Sequence, residues 1–583
     1  MLLLDKLSLI RSNIFSEEQE FATHIKRWFP VAVIIGILVG IAMTLFTIFI
    51  NLISIIMGFF PSLLAIAIGG LLVWILVLIK FEDPSVNGIS YVIRKKLAKE
   101  PVPLTQTQEF VSAGITIGSG LPVGREGPAL IIGSAIATTV SKWRKIPKNQ
   151  LHEAITIGSA AATGALFQAP FGSAVFAAEV PYKEDSDEPL LMVSFLASVV
   201  AAITLRSLLS LLNFIGFEVN LYLFEIGYAF LQINVITSLL AFLLGMLIGI
   251  FGRSIIELYY KYQSIINNRF TPSNRILIGL SITFLSILIG HFTINDFYLS
   301  NGISAFEAIP MLIMPGNRAL MSTLFIILII QIIATIGIIA AGFPGGIFAP
   351  TLSIGAIFGI IFAMFFDFTL QSNLIAFAII GMSASHAAFT KTPIASILLV
   401  LEITNLPNLI IPIILTNISA HIFSGHKSLY SGQIRSRDVN ILKELSEYDQ
   451  YSELKVQDVM TPKDQLIISY PEQKLVELSS ICNEKSISTI PVEDKNGKIS
   501  GVISFNDITK GIENGKLLVN EAMTHGAITV PSNINLRETL VIILNNKIER
   551  APVISENNEI IGIISQSDIL RGTSNLPKGY NLL

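Results

Sequence analysis

The sequence predicts an all-α polytopic membrane protein, built from an internal repeat with broken helices and followed by an α/β soluble tail. Three observations predict it. Only 14% of the 583 residues are charged and 52% are hydrophobic, whereas a soluble protein carries about a quarter charged residues; the mean hydropathy is +0.67. Two ten-residue runs, GREGPALIIG at 124–133 and GIFAPTLSIG at 346–355, share Gly first, Pro fifth, Leu seventh, Ile ninth and Gly tenth. Past residue 440 or so, apolar helical runs give way to short β-branched stretches separated by charges.

Along the chain, residues 1–24 read as a cytoplasmic N-terminal segment. Its charges, Asp5, Lys6 and Arg11, and the lack of a cleavage-site pattern argue against a signal peptide. The stretch 25–440 reads as the membrane domain. Segments 30–58, 62–80, 233–251, 274–290, 318–340 and 353–366 are expected to cross the bilayer, which takes about 20 apolar residues. Others, including 125–140 and 391–404, are short or interrupted by Gly and Pro, and are tolerable at membrane depth only where they line a cavity or pack on protein. About sixteen to eighteen helical segments are expected, several not spanning. The basic clusters Lys26-Arg27, Arg94-Lys95-Lys96 and Lys142 through Lys148 mark cytoplasmic loops. A net charge of −3 implies no nucleic-acid partner. The single cysteine, Cys482, rules out an intrachain disulfide and reads as a small core residue.

The repeat extends beyond the two runs. GSAAATGALFQAP at 158–170 is answered by GMSASHAAFTKTP at 381–393, so Gly158 matches Gly381, Pro170 matches Pro393 and Glu179 matches Glu402. Shared Ala and Gly explain single matches but not this ordered set. Gly and Pro opening a helix leave N–H groups free at its positive end, which is a general anion site. Two such starts, one in each half, suggest broken helices meeting at a central site.

The tail is a second repeat. VQDVMTP at 456–462 is answered by VNEAMTH at 519–525, and STIPVEDKNGKISGVISFNDI at 488–508 by ERAPVISENNEIIGIISQSDI at 549–569. Each unit resembles a cystathionine-β-synthase (CBS) domain, the first over 452–512 and the second over 513–574, after a linker at 441–451. The resemblance implies binding of an adenine nucleotide (ATP, ADP or AMP) between the units, with Asp507 and Asp568 on ribose hydroxyls and Ser504 and Ser565 near phosphate. The residue types fit, since a carboxylate accepts and a hydroxyl donates. The plainer role for each Asp is to cap the helix that follows. No cofactor is required for transport.

GREGP at 124–128, GGIFAP at 345–350 and LYSGQI at 429–434 resemble the signature stretches of the CLC chloride channels and chloride/proton antiporters. The likeness covers most of residues 25–440, and a CBS pair after the membrane domain is common in that family. It implies a CLC-like inverted repeat, a multi-pass integral membrane location with cytoplasmic CBS domains, voltage-dependent transport of chloride or other anions, contact with membrane lipid, and a homodimer with one pore per subunit. Glu126 matches the gating glutamate, whose carboxylate competes with the permeating anion. Gly124, Arg125, Gly127, Gly346, Ile347 and Phe348 match the backbone that binds the anion. Tyr430 matches the tyrosine whose hydroxyl donates to it.

Two departures matter. The family's GSGIP is replaced by VNGIS at 86–90, which puts Asn87 where Ser usually donates; an amide still donates, but anion preference is open among chloride, nitrate and fluoride. GSGLP at 118–122 abuts the gate motif and is not that segment. Aligning FQAPFGSAVFAAEV places Glu179 just before the internal proton-accepting position and Val180 on it. A valine cannot relay a proton, so uncoupled or weakly coupled conduction is expected, with a chloride/proton antiporter using Glu179 as the alternative. A CBS-regulated divalent-cation channel would need converging carboxylates or carbonyls. An enzyme is not expected, since the apolar segments carry neither HExxH nor GxSxG.

Overall fold

The computed structural model describes residues 2–81, 88–147, 150–214, 231–294, 318–366, 368, 371–436, 454–485, 489–546, 548, 550–555, 557–565 and 568, with residues 2–25 as backbone only. The chain divides into two units, Met1–Arg437 and Asp438–Leu583.

In the first unit the described residues form fifteen α-helices. They are α1 (Leu2–Met57), α2 (Ser62–Leu78), α3 (Gly88–Leu97), α4 (Glu109–Gly118), α5 (Glu126–Trp143), α6 (Leu151–Phe167), α7 (Pro170–Glu179) and α8 (Leu191–Phe214). Then follow α9 (Val235–Arg269), α10 (Pro272–Ile294), α11 (Arg318–Ala340), α12 (Phe348–Phe365), α13 (Gln371–Thr390), α14 (Pro393–Thr404) and α15 (Ile410–Phe423). Seven stretches are long and apolar enough to cross a membrane: Lys26–Met57, Glu188–Phe214, Val235–Arg269, Pro272–Phe292, Met321–Ala340, Phe348–Phe365 and Ser372–Thr390. Two of these, Glu188–Phe214 and Ser372–Thr390, fall in α8 and α13, outside the segments named from the sequence. In them Ser194, Ser198, Ser383, Ser385, His386 and Thr390 are all buried inside the protein. The expected span at 62–80 is the shorter helix α2. Helix α1 begins at Leu2 and so runs through residue 24 without a break.

The repeat is visible as packing. Helix α5 crosses α6 at Gly133 and Gly158, where a Cβ on either would come within 2.3 Å of the other's carbonyl oxygen. Helix α12 crosses α13 at Gly355 and Gly381 in the same way, at 2.2 Å. Small residues let backbones approach, which is how helices associate without a hydrophobic drive. Each half then makes the same sharp turn: Gln168 (φ 52°) and Lys391 (φ 59°) are left-handed, and Pro170 and Pro393 open the next helices. Those two helices, α7 and α14, run antiparallel, each ending beside the start of the other. The halves are thus related by inversion, as an inverted repeat requires.

In the second unit β1 (Thr461–Pro462), β2 (Thr489–Glu493), β3 (Ile499–Ser504), β4 (Thr524–His525), β5 (Val530–Pro531), β6 (Arg550–Ile554) and β7 (Ile560–Ser565) form two sheets. Their orders are β1-β7-β6-β5 and β2-β3-β4. Each repeat contributes an antiparallel hairpin, β2–β3 and β6–β7. The first repeat's β1 joins the second hairpin and the second repeat's β4 joins the first, so the two CBS-like units are interlocked. Cys482 packs in the core with Leu475, Leu478, Val492 and Ile503.

Candidate functional site

Three helix starts converge in the first unit. The loops before α5 and α12 are joined by a two-residue bridge: Gly124 N–H donates to Gly346 O and Gly346 N–H to Gly124 O, both at 2.8 Å. Each of these N–H groups is thus taken up by the other glycine's carbonyl, and what Gly124 and Gly346 supply to the site is room: a Cβ on Gly346 would lie 1.8 Å from Glu126 Oε1, and one on Gly124 would lie 2.1 Å from Oε2. Helix α3 enters from the third side. Its first residue, Gly88, has φ +32°, and a Cβ there would sit 3.0 Å from Gly127 Cα. Asn87, immediately before it, lies outside the described residues.

Glu126 is fully buried between these starts. Its Oε1 accepts a hydrogen bond from Phe348 N–H at 2.5 Å, so a carboxylate of one half caps the broken helix of the other. Ile347 is the N-cap residue of α12 and Arg125 that of α5, neither with a side-chain cap. Arg125 is half-buried, and its Nε has no partner among the described residues. An aromatic shell closes the site: Phe348 stacks on Phe167 at 4.3 Å and meets His386 edge-on at 4.7 Å. Tyr430 lies across Phe176 from this pair, with ring centroids 6.5 Å apart. It is buried, and its hydroxyl has no hydrogen-bond partner among the described residues. A buried donor without a partner is costly and marks where a polar ligand would sit.

The other two half-helix starts are already occupied. Glu179 accepts from Ile394 and Ala395 at the start of α14, at 3.2 and 2.8 Å. Glu402 accepts from Phe171 and Gly172 at the start of α7, at 3.1 and 2.6 Å. Among the described residues, the helix starts that meet at Glu126 are those of α3, α5 and α12. Val180 is buried at the end of α7. Its carbonyl accepts from Gln433 Nε2 at 2.7 Å, and the same amide reaches Thr390 O at 2.9 Å. Gln433 belongs to the LYSGQI motif, so that motif ties the ends of both halves together. Sequence reasoning missed Gln433, Thr351, Phe167 and His386; the aromatic and hydroxyl positions carry no spacing signal of their own. Farther along, Arg435 pairs with exposed Glu184 at 2.8 Å and holds its carboxyl below the usual range.

In the second unit Ser504 Oγ donates to Asp507 Oδ2 at 2.6 Å, and Asp507 N–H donates back to Ser504 Oγ at 3.1 Å. Ser565 and Asp568 repeat this at 2.6 and 3.2 Å. Both pairs are capping boxes, the plainer of the two expected roles. Among the described residues no group of three or more His, Cys, Asp or Glu could hold a metal ion.

Residues 88–425 match the family model described as voltage gated chloride channel, and residues 456–514 and 519–574 match that of the CBS domain. The chain is 28% identical over 372 residues to an H(+)/Cl(−) exchange transporter, ClcA, of Vibrio campbellii, covering 61% of this chain and 76% of that one. It is equally similar over 339 residues to the protein of that name from Vibrio parahaemolyticus, covering 55% and 70%. Among solved structures it resembles a CLC-type fluoride/proton antiporter (22% identical, 71% of this chain and 98% of that one, TM-score 0.59). It also resembles a slow cyanobacterial Cl−/H+ antiporter (21% identical, 73% and 99%, TM-score 0.58). At these identities the structural likeness establishes the fold alone.

Proposed function

The chain belongs to the voltage-gated chloride channel (CLC) family of anion transporters, with a CBS pair behind the membrane domain, and we propose that it carries chloride through a path gated by Glu126. One observation carries this reading: the Glu126 carboxylate accepts from the free N–H of Phe348, and so occupies as a tethered anion the position a permeating anion would take. When protonated or displaced, it leaves the amides of Ile347 and Phe348, and those around Arg125–Gly127, to the ion. Tyr430 supplies a hydroxyl donor and Asn87 an amide donor. Chloride is the anion best matched by intact GREGP, GxFxP and Tyr430.

Transport is channel-like or weakly proton-coupled, because buried Val180 has no titratable group where the family's antiporters accept an internal proton. A second reading, chloride/proton antiport, is favoured by the similarity to the Vibrio exchange transporters. The remaining assignments are homodimeric assembly with one pore per subunit, a cytoplasmic location of the CBS pair, and adenine nucleotide at Ser504, Asp507, Ser565 and Asp568. The deciding experiment is flux from proteoliposomes read by anion and pH electrodes together. Chloride movement without proton movement supports the first reading, stoichiometric counter-movement supports the second, and neither ion moving overturns both.

A further inference from the structure

His386 is a titratable group in the wall of this site that the gate does not use. It sits on α13, fully buried, with its ring edge-on to Phe348, whose N–H holds Glu126. Its Nδ1 is 3.2 Å from Thr351 Oγ1. Thr351 is the third residue after Phe348, and its hydroxyl donates to Phe348 O at 2.8 Å. A hydroxyl has one proton and a carbonyl can only accept, so when the Thr351 proton goes to Phe348 O the second bond is donated by Nδ1. In that neutral tautomer Nδ1 carries the proton and Nε2 presents a bare lone pair. Nε2 is buried and has no hydrogen-bond partner among the described residues. The repeat offers no structural reason for an imidazole here, since the equivalent position in the first half is Thr163, which bonds back to Ser159 O within its own helix.

We propose that His386 is a proton-binding residue of the anion site, taking a proton on Nε2 when an anion occupies the path. The step is a simple addition: a proton from solvent hydronium joins the Nε2 lone pair, the bond to Thr351 is kept, and the ring becomes a cation with a second N–H. A buried imidazolium needs an anion beside it, and a permeating anion gains a charged donor. Each ligand therefore strengthens the other by the same factor. This rests on the anion-transport reading, and it supplies a proton-sensitive group whatever Val180 cannot do.

The other titratable groups on elements around His386 are accounted for. Helix α12 has none. Glu126 lies beyond Phe348 and Tyr430 beyond Phe176. Glu179 and Glu402 are bound to helix starts. Lys391, five residues on, donates to Ser424 Oγ at 2.5 Å. His421 on α15 and Arg253, Glu257, Tyr259, Tyr260, Lys261, Tyr262 and Arg269 on α9 make no hydrogen bond to it among the described contacts.

The test measures chloride efflux from proteoliposomes of the full-length protein between about pH 8 and pH 4, a window that extends below the range of a solvent-exposed imidazole. Glu126→Gln removes the gate's own titration. In that background flux should still rise toward low pH by about fivefold or more, the lower end of usual coupling between two ligands. Adding His386→Asn, whose amide still donates to Thr351, should flatten the profile while chloride still flows. A pH-independent Glu126→Gln protein, or a slope that survives His386→Asn, would overturn the proposal. Thr351→Val gives a second handle if the double variant is poorly folded. Without its Nδ1 acceptor the imidazolium is disfavoured, so the midpoint should move to lower pH, and an unmoved midpoint also overturns it. Wild-type protein that carries no chloride at any pH would instead defeat the transport reading beneath it.

Discussion

Glu179 and Glu402 hold each other's helices. Glu179 ends α7 and Glu402 lies in the last turn of α14, and each binds two N–H groups at the start of the other helix: Ile394 and Ala395 for Glu179, Phe171 and Gly172 for Glu402. The relation is the inverted repeat expressed in four hydrogen bonds. It also bears on the proton route, since Glu179 was the acid an antiporter reading would turn to, and its two oxygens are already bound. Glu179→Ala should cost roughly 1.5–3 kcal/mol, the range for hydrogen bonds to charged groups. Glu402→Ala should cost less, because Glu402 is only half-buried and Phe171 is exposed. Thermal unfolding in detergent checks the order. Glu179→Gln, which keeps an acceptor, should leave proton movement as in the wild type; loss of a robust proton flux would make Glu179 a relay after all.

The gate has two tests that should agree. Glu126→Gln mimics the protonated carboxyl, so anion flux should persist with weaker voltage dependence and without the carboxylate's part of the pH dependence. Gly346→Ala attacks the same carboxylate from outside, since its Cβ would fall 1.8 Å from Oε1. It should expel Glu126 and reproduce the Gln phenotype while Glu126 remains. An alanine variant gated like the wild type would show that the carboxylate does not need this position.

Selectivity should follow the donors to the anion. Tyr430→Phe removes a buried hydroxyl that has no protein partner among the described residues, so anion affinity should fall by about two- to tenfold, one ordinary hydrogen bond. Asn87→Ser keeps a donor with a shorter reach. It should change the chloride/nitrate or chloride/fluoride ratio more than total flux. Equal ratios in competition flux would place Asn87 off the path.

In the tail, Asp507 closes a capping box with Ser504, the N-cap of the helix over Phe505–Glu513, and Asp568 makes the same bonds with Ser565, so alanine at either Asp should cost about 0.5–1.5 kcal/mol of stability whether or not a ligand binds. If an adenine nucleotide binds, the same variants should also weaken it by about ten- to a hundredfold, the loss of one charged hydrogen bond. Calorimetry on the full-length protein with ATP, ADP and AMP separates the two, and no heat with any of them leaves only the cap.

The fold was legible because its signals are local and periodic. GREGP, GIFAP and the two Pro-opened helices announce broken helices before any contact is known, and the Gly133–Gly158 and Gly355–Gly381 crossings sit where the repeats align. What was hidden depends on partners distant in sequence. Helix α13 carries a low hydropathy for a span, because each Ser, Thr and His counts as a penalty. Buried Ser385 and Thr390 offset theirs by bonding Thr351 O and His386 O. Gly124 and Gly346 read as part of the anion-binding backbone, and only the structure shows each N–H donating to the other's carbonyl across 222 residues. His386 looked like one more polar residue in a small-residue stretch; only its place against Phe348 and Thr351 gives it a role.

The coupling prediction follows from the end of α7. Val180 is buried, and the polar group beside it is the amide of Gln433, which is engaged by Val180 O and Thr390 O. Neither side chain can take up and release a proton, and the adjacent carboxylate, Glu179, is bound to the start of α14. A chloride gradient across sealed proteoliposomes should therefore drive chloride with little or no uphill proton transport. His386 protonation would modulate that flux without requiring net proton transfer, since a proton bound from one side can return to it. Val180→Glu supplies the missing acid, and if the site otherwise suits exchange, proton movement should appear with chloride still flowing. Robust proton pumping by the wild type would sink the channel-like reading. Its loss in His386→Asn would then identify the histidine as the acid that replaces the valine's missing one.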